Sequence, residues 1–421
     1  MKNIHILNNS KFKGVSISYN MTLPIIKEDT TSLAVLVSLL SKGSKKYQNQ
    51  YEIDKYLSNL YGAKFNSSVE KIGDLYNIEF RIEFINENLL KINERILEGS
   101  INFLYEIIYN PLLQDLKFKN EAVEIEKLNI LDKIREAKDE KLKYGIIKME
   151  EIICENEPFG IFVYGKEEDV DKITNTTLYN TYKKMIDKSL INVIVSGNLE
   201  GYNNIQTLIQ STFANCLNEN ISVEDIKPKN LNSINNTQVI KEIKETSDTN
   251  QSVISIGFKV KDLNLEDMYP LLVKNAILGD TPSSKLFQNV REKASLAYTV
   301  RSRYYRYKGI SIIYAGIEYK NFDLAKKLIL EQVENIKLGE ITKEELDAAK
   351  EGMISDILEW DDYKSVIGKM LFSNILYSEV ENITLEYMID KINNVTIEDI
   401  VKVANKEELV AIYFIGGETY E

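Results

Sequence analysis

Apolar and polar residues alternate over 3–7, 13–21, 64–70, 75–84 and 191–197, the two-residue period of a half-buried strand. Between these stretches the period lengthens to that of a helix, over 31–42, 51–61, 86–108, 119–153 and 176–187. The succession then begins again. Strand-like QSVISIGFKV (251–260) leads into a helical run from about 265 to 279. Two further strand patterns, ASLAYTVRSRYY and GISIIYAGI, precede helices expected at 321–337 and 342–373. Between the two series lies NENISVEDIKPKNLNSINNTQ (218–238), whose Asn, Ser and Pro content is that of a linker.

The restart reflects duplication. Residues 171–198 align without a gap on 390–417, and 8 of the 28 positions are identical, Thr177, Leu190 and Gly197 among them. Each copy reads as a turn, a helix capped by Thr177 or Thr396, and a closing strand that ends in Gly. The pattern therefore predicts two homologous α+β domains, 1–217 and 239–421, joined by 218–238. Each is expected to be a mostly antiparallel sheet packed against several helices.

Composition narrows the chemistry. A net charge of −12 disfavours nucleic acid and anionic membrane as partners. The basic, aromatic RSRYYRYK (301–308) does not recur, and its alternation predicts one strand with a polar face. LAVLVSLL is far shorter than the roughly 18 apolar residues of a membrane span. With two cysteines, Cys154 and Cys216, and no secretory leader, a reducing cytoplasm is the expected setting. There is one histidine, His5, in the first strand, so no pair of histidines can bind zinc within the chain. The charges of the helix at 119–145 alternate in sign at helical spacing, as on a solvated face.

TSLAVLVSLLSKGSKKY (31–47) reads as an ordinary core helix, capped by Thr30, Thr31 or Ser32 and ended by Gly43. Its surroundings say more. LLSKGSKKY (39–47), YEIDKYLSNLYGAKFNSSV (51–69) and NPLL (110–113) resemble the pitrilysin/insulinase metallopeptidases, and the resemblance spans nearly the whole chain. Active members of that family carry an inverted His-x-x-Glu-His zinc motif, which the resemblance places on Ala34 to Ser38. Ala34 and Ser38 stand where the histidines would be and Val37 where the glutamate base would be. Histidines at i and i+4 share a helix face and so grip one ion, while the glutamate activates its water. The third ligand position falls on Leu128 or Lys133, neither of them a carboxylate. The resemblance thus implies no metal in this chain.

It also implies what was kept. The segment GDTPSSKLFQNVREKASLAYTVRSRYYRYKG (279–309) is the most family-like, and the family's substrate-contacting Arg and Tyr, seven residues apart, fall on Arg291 and Tyr298. An arginine offers a fork of donors to a peptide carbonyl, and a tyrosine hydroxyl can support charge developing on that oxygen. Arg301, Arg303 and Tyr305 are weaker candidates for the lining of a peptide chamber. Family members hold substrate as an added strand at a sheet edge, which here implies Asn66, Ser67, Ser68 and Val69. In the family two half-units face each other like a clamshell. The resemblance therefore implies a heterodimer in which a paralogue supplies zinc and base and this chain supplies Arg291 and Tyr298 to a peptide substrate. The alternative is a peptide-binding or scaffold protein of the same fold with no part in hydrolysis.

Overall fold

The structure, a computed structural model, describes residues 3–90, 94–227, 239–247, 251–377 and 384–417. The alternating stretches of the first half form β1 (Ile4–Asn8), β2 (Gly14–Pro24), β3 (Lys64–Ile72), β4 (Leu75–Ile85) and β5 (Leu190–Gly197). They make one sheet in the order β1-β5-β2-β4-β3, with β1 parallel to β5 and every other pair antiparallel. The second half repeats this with β6 (Lys241–Thr246), β7 (Ser252–Val260), β8 (Ala297–Tyr305), β9 (Ile310–Ile317) and β10 (Glu407–Gly416). Their order is β8-β9-β7-β10-β6, again with the first and last strands in sequence parallel. Read from its other edge this is the first order, strand for strand. The internal sequence match therefore reports a true structural repeat, and the expected α+β class holds.

Helix α1 (Lys27–Leu40) packs against β3 and buries Leu33, Leu36, Val37, Leu39 and Leu40. It begins a turn earlier than its hydroxyl residues suggest. Its N-cap is Ile26, and Thr30 instead returns its hydroxyl to the Ile26 carbonyl at 2.8 Å. Glu28 and Asp29 in the first turn face the positive end of the helix dipole, which compensates for the missing cap. The helix ends at Ser41 rather than Gly43, which lies in the following turn.

The long helical run at 119–153 is two helices, α2 (Asn120–Asp139) and α3 (Lys141–Ile153), broken at Glu140. The expected helix at 176–187 is α4 (Asn175–Lys188), against which α1 also packs. Thr174, not Thr177, is its N-cap, because the two hydroxyls form a capping box that adds a turn. The run at 342–373 also divides, at Asp361–Asp362, before α5 (Lys364–Tyr377). Those aspartates would sit badly at a helix C-terminus and instead pair with Lys11. Thr396 caps α6 (Ile397–Ala404) as its sequence predicts.

Two compact units result, and neither is contiguous in sequence. The first comprises Met1–Ile134, Val163–Pro228 and Trp360–Asn382; the second comprises Arg135–Phe162, Lys229–Glu359 and Ile383–Glu421. Each takes one helix from the other half of the sequence. In the first unit α5 lies on β5 and β2, and the Ser196 hydroxyl donates to the Lys364 carbonyl at 2.8 Å. In the second unit α3 lies on β7, β9 and β10, and Met149, Ile153, Val253, Ile312 and Tyr413 share one core. Gly145 of α3 permits the close approach, since a Cβ there would stand 2.8 Å from the Ser255 hydroxyl. Of the connection expected at 218–238, residues 228–238 lie outside the described residues. Those before them form a capped turn, Val223–Ile226, with Ile226 buried.

The glycine that closes each repeat is fixed by the sheet. At Gly197 φ is 126°, and a Cβ would stand 2.2 Å from the Gly14 carbonyl oxygen. Gly197→Ala is therefore expected to destabilise the protein by about 3 kcal/mol or more. Gly62→Ala, at φ 74° but with open space around it, should cost only about 1 kcal/mol. Urea denaturation of the two variants measures the difference, and equal midpoints would refute the steric account.

Candidate functional site

The helix α1, the edge strand β3 and the helix α2 enclose a cavity of about 310 Å³ in the first unit. Ala34, Val37 and Ser38 line it from α1, and Asn66, Ser67, Ser68 and Val69 line it from β3. Helical spacing puts Ala34 and Ser38 on one face, one turn apart. The strand pairs with β4 alone, so it is the outermost strand of its sheet. Two groups of residues that the family resemblance singled out, Ala34, Val37 and Ser38 on the helix and Asn66 to Val69 on the strand, thus share one cavity.

From α2 the cavity receives Ile130 and Lys133, whereas Leu128 is 60% exposed and takes no part. Of the two candidate positions for a lost third ligand, Lys133 is the one beside Ala34 and Ser38. Its ammonium lies 5.3 Å from the centre of the Tyr164 ring, a cation–π contact. These residues do not fit zinc. Ala34 and Val37 carry no donor atom, a neutral serine hydroxyl is a weak ligand, and a lysine brings positive charge where a carboxylate would be needed. Among the described residues no group of three or more His, Cys, Asp and Glu is placed to hold a metal.

One residue escaped the sequence reading. Glu126 belongs to the charged run assigned to a solvated face, yet it is 3% exposed. It accepts the Ser38 hydroxyl at 2.5 Å and the Asn129 amide at 3.0 Å. A carboxylate aimed at a metal-ligand position is the usual outer partner of a ligating histidine. Here the residue that donates to Glu126 from α1 is a serine, with Asn129 as its second side-chain donor. The signal available in the sequence was its place between Val123 and Ile130, both buried on the same side of α2.

The second unit holds Arg291 and Tyr298, and the local backbone around both is irregular. Arg291 sits in a π-helical turn, Phe287–Lys293, with its guanidinium 4.7 Å from the Phe287 ring centre. Glu292 is its nearest carboxylate, at 3.7 Å. Ser295 then adopts φ 53°, and the register between β8 and β9 slips at Tyr298, the mark of a bulge. Tyr298 is 64% exposed, and its hydroxyl makes no hydrogen bond among the described residues. β8 is the edge strand of its sheet.

Of the weaker candidates, Arg301 and Arg303 are exposed on β8, but Tyr305 is not available. Its hydroxyl donates to Glu150 at 2.5 Å and its ring packs on Phe159, so it is a core residue of the second unit. His5 likewise plays a structural part. Its Nε2 pairs with Asn192 at 3.0 Å, and burial holds the imidazole below its ordinary pKa. No helix among the described residues is long and apolar enough to cross a membrane.

Residues 172–353 match the family model described as Peptidase M16 inactive domain. The chain is 32% identical over 420 residues to the probable inactive metalloprotease YmfF of Bacillus subtilis, covering 98% of this chain and 95% of that protein. It is also 32% identical over 154 residues to the uncharacterized zinc protease YmxG of the same organism, covering 36% of this chain and 37% of that one. A conserved protein from Enterococcus faecalis superimposes with a TM-score of 0.88 at 28% identity, over 99% of this chain and 97% of its own.

The buried carboxylate yields a test. Ser38→Ala removes one of the two side-chain donors to Glu126 and should lower stability by about 1–3 kcal/mol, whereas Ser41→Ala, one turn further on, should cost less than about 1 kcal/mol. Urea denaturation distinguishes them, and a neutral Ser38→Ala would mean that Glu126 needs no partner at that position. With nearly its whole length matched to YmfF and residues 172–353 matched to the inactive-domain model, the chain belongs to the pitrilysin/insulinase family, the peptidases M16.

Proposed function

We propose that this chain is the zinc-less subunit of a heterodimeric, cytoplasmic peptidase. A zinc-bearing paralogue supplies metal and base, and this chain presents Arg291 and Tyr298 to the peptide bond being cut. The observation that carries the reading is the state of that pair. Both side chains are exposed, both sit in irregular backbone, and neither has the strong ion pair or buried hydrogen bond that would explain it as structure. π-turns and bulges concentrate where a side chain must be aimed. The proteins of Bacillus subtilis lend further support. One organism has both a relative named as an inactive metalloprotease and one named as a zinc protease.

A second reading rests on the cavity of the first unit. An edge strand beside a polar cavity can hold an extended peptide by its backbone without any hydrolysis. The two readings share peptide binding and differ in whether this chain contributes to a turnover.

Reconstitution of the chain with a zinc-bearing homologue decides between them. In the first reading Arg291→Ala and Tyr298→Phe each lower kcat/KM of the pair by about 100-fold, the scale of losing one donor to a developing oxyanion. Zinc content and complex formation should stay unchanged. Full turnover in both variants would exclude the shared-site reading and leave the peptide-binding one.

A further inference from the structure

We propose that the cavity between α1 and β3 is a carboxylate site, in which Lys133 serves as the counter-ion for an anionic end or side chain of a bound peptide. The inference rests on the reading that a peptide lies along β3, and it names the chemistry that the peptide must bring.

The charge of the cavity wall is the first ground. The chain carries a net charge of −12, yet among the described residues the lining of this cavity contains two ammonium groups, Lys42 and Lys133, and no carboxylate. Neither lysine has an ion pair or a side-chain hydrogen bond within the described residues. Lys133 rests on the Tyr164 ring, an arrangement that holds the ammonium while leaving its N–H donors for an anion. Glu126, the nearby buried acid, does not line the cavity and is engaged by Ser38 and Asn129. It therefore does not cancel the two cations through a direct ion pair.

The second ground is the neutral donors and the room. Ser67 also lines the cavity, and its hydroxyl makes no hydrogen bond within the described residues; Asn66, its neighbour on the strand edge, lines it as well. At about 310 Å³ the space would hold roughly ten waters, enough for a carboxylate with part of its hydration. The third ground is geometry. A peptide added to the outer edge of β3 runs past Asn66 to Val69, and so passes this cavity with its backbone already paired. A group that reaches inward there meets cations. A lysine in the wall repels a metal ion and attracts a carboxylate.

The carboxylate can come from a peptide C-terminus or from an Asp or Glu side chain. Three nine-residue peptides of one neutral sequence, each N-terminally labelled with an uncharged BODIPY dye, separate these sources: the free acid, the C-terminal amide, and the amide with a single central Glu. Binding of each to the full-length chain is read by fluorescence anisotropy. The free acid, the Glu-containing amide or both should bind about tenfold more tightly than the neutral amide. Lys133→Met, which keeps most of the side chain's apolar stem, should abolish that difference without changing the affinity of the neutral amide. Measurable but equal binding of all three peptides would overturn the carboxylate site and leave peptide binding standing. An advantage that survives in Lys133→Met would overturn the role of Lys133. Failure of all three peptides to bind would overturn both the site and the peptide reading on which it rests.

Discussion

Each sheet in this protein must have its apolar face covered, and each is covered by a helix from the other half of the sequence. Fully burying a large apolar side chain contributes about 1.5–3 kcal/mol. In the second unit Met149 and Ile153 of α3 are buried with Val253, Ile312 and Tyr413. Removing α3 would return that group to water, and removing α5 would uncover β5 and β2 in the first unit. Neither half of the sequence therefore contains all of its own core. Within the first unit α1 is held by its own apolar packing, with Leu33, Leu36, Leu39 and Leu40 buried.

That constraint explains how a metal site can lose its chemistry and keep its shape. Ala34 and Val37 are at home on α1 because the helix is packed on its own account, with Leu33, Leu36, Leu39 and Leu40 buried around them. Ser38 keeps one function of a ligating residue, donation to the buried Glu126. Lys133 breaks with the older chemistry altogether, since an ammonium cannot share a site with a divalent cation. What is left is a preformed, polar, positively lined cavity beside an unpaired strand edge.

The sequence made some of this legible and concealed the rest for physical reasons. Periodicity found every strand of the first sheet, because β2, β4 and β5 alternate or run continuously apolar as buried strands do. It missed β6, Lys241–Thr246, whose mostly exposed and charged residues are those of an edge strand and carry no apolar face to detect. The repeat was legible because 171–198 and 390–417 contain the central strands β5 and β10, where both faces constrain the residue type. The exchange of α3 and α5 was not legible, since an amphipathic pattern states that a face is buried and not which sheet buries it. Glu126 was hidden for a related reason. Alternating charge along α2 has the signature of a solvated helix, and only the position of α1 makes one of those acids a buried acceptor.

The contrast between the two units bears on what remains functional. Around Ala34 and Ser38 the backbone is a regular helix. Around Arg291 and Tyr298 it is not. A π-helical turn, a serine at φ 53° and a bulge follow one another within twelve residues. Non-glycine residues held at positive φ cost on the order of 1–3 kcal/mol, and the surrounding structure must supply that energy. Here that cost falls beneath two exposed polar side chains, and this is the feature on which the substrate role proposed for Arg291 and Tyr298 rests.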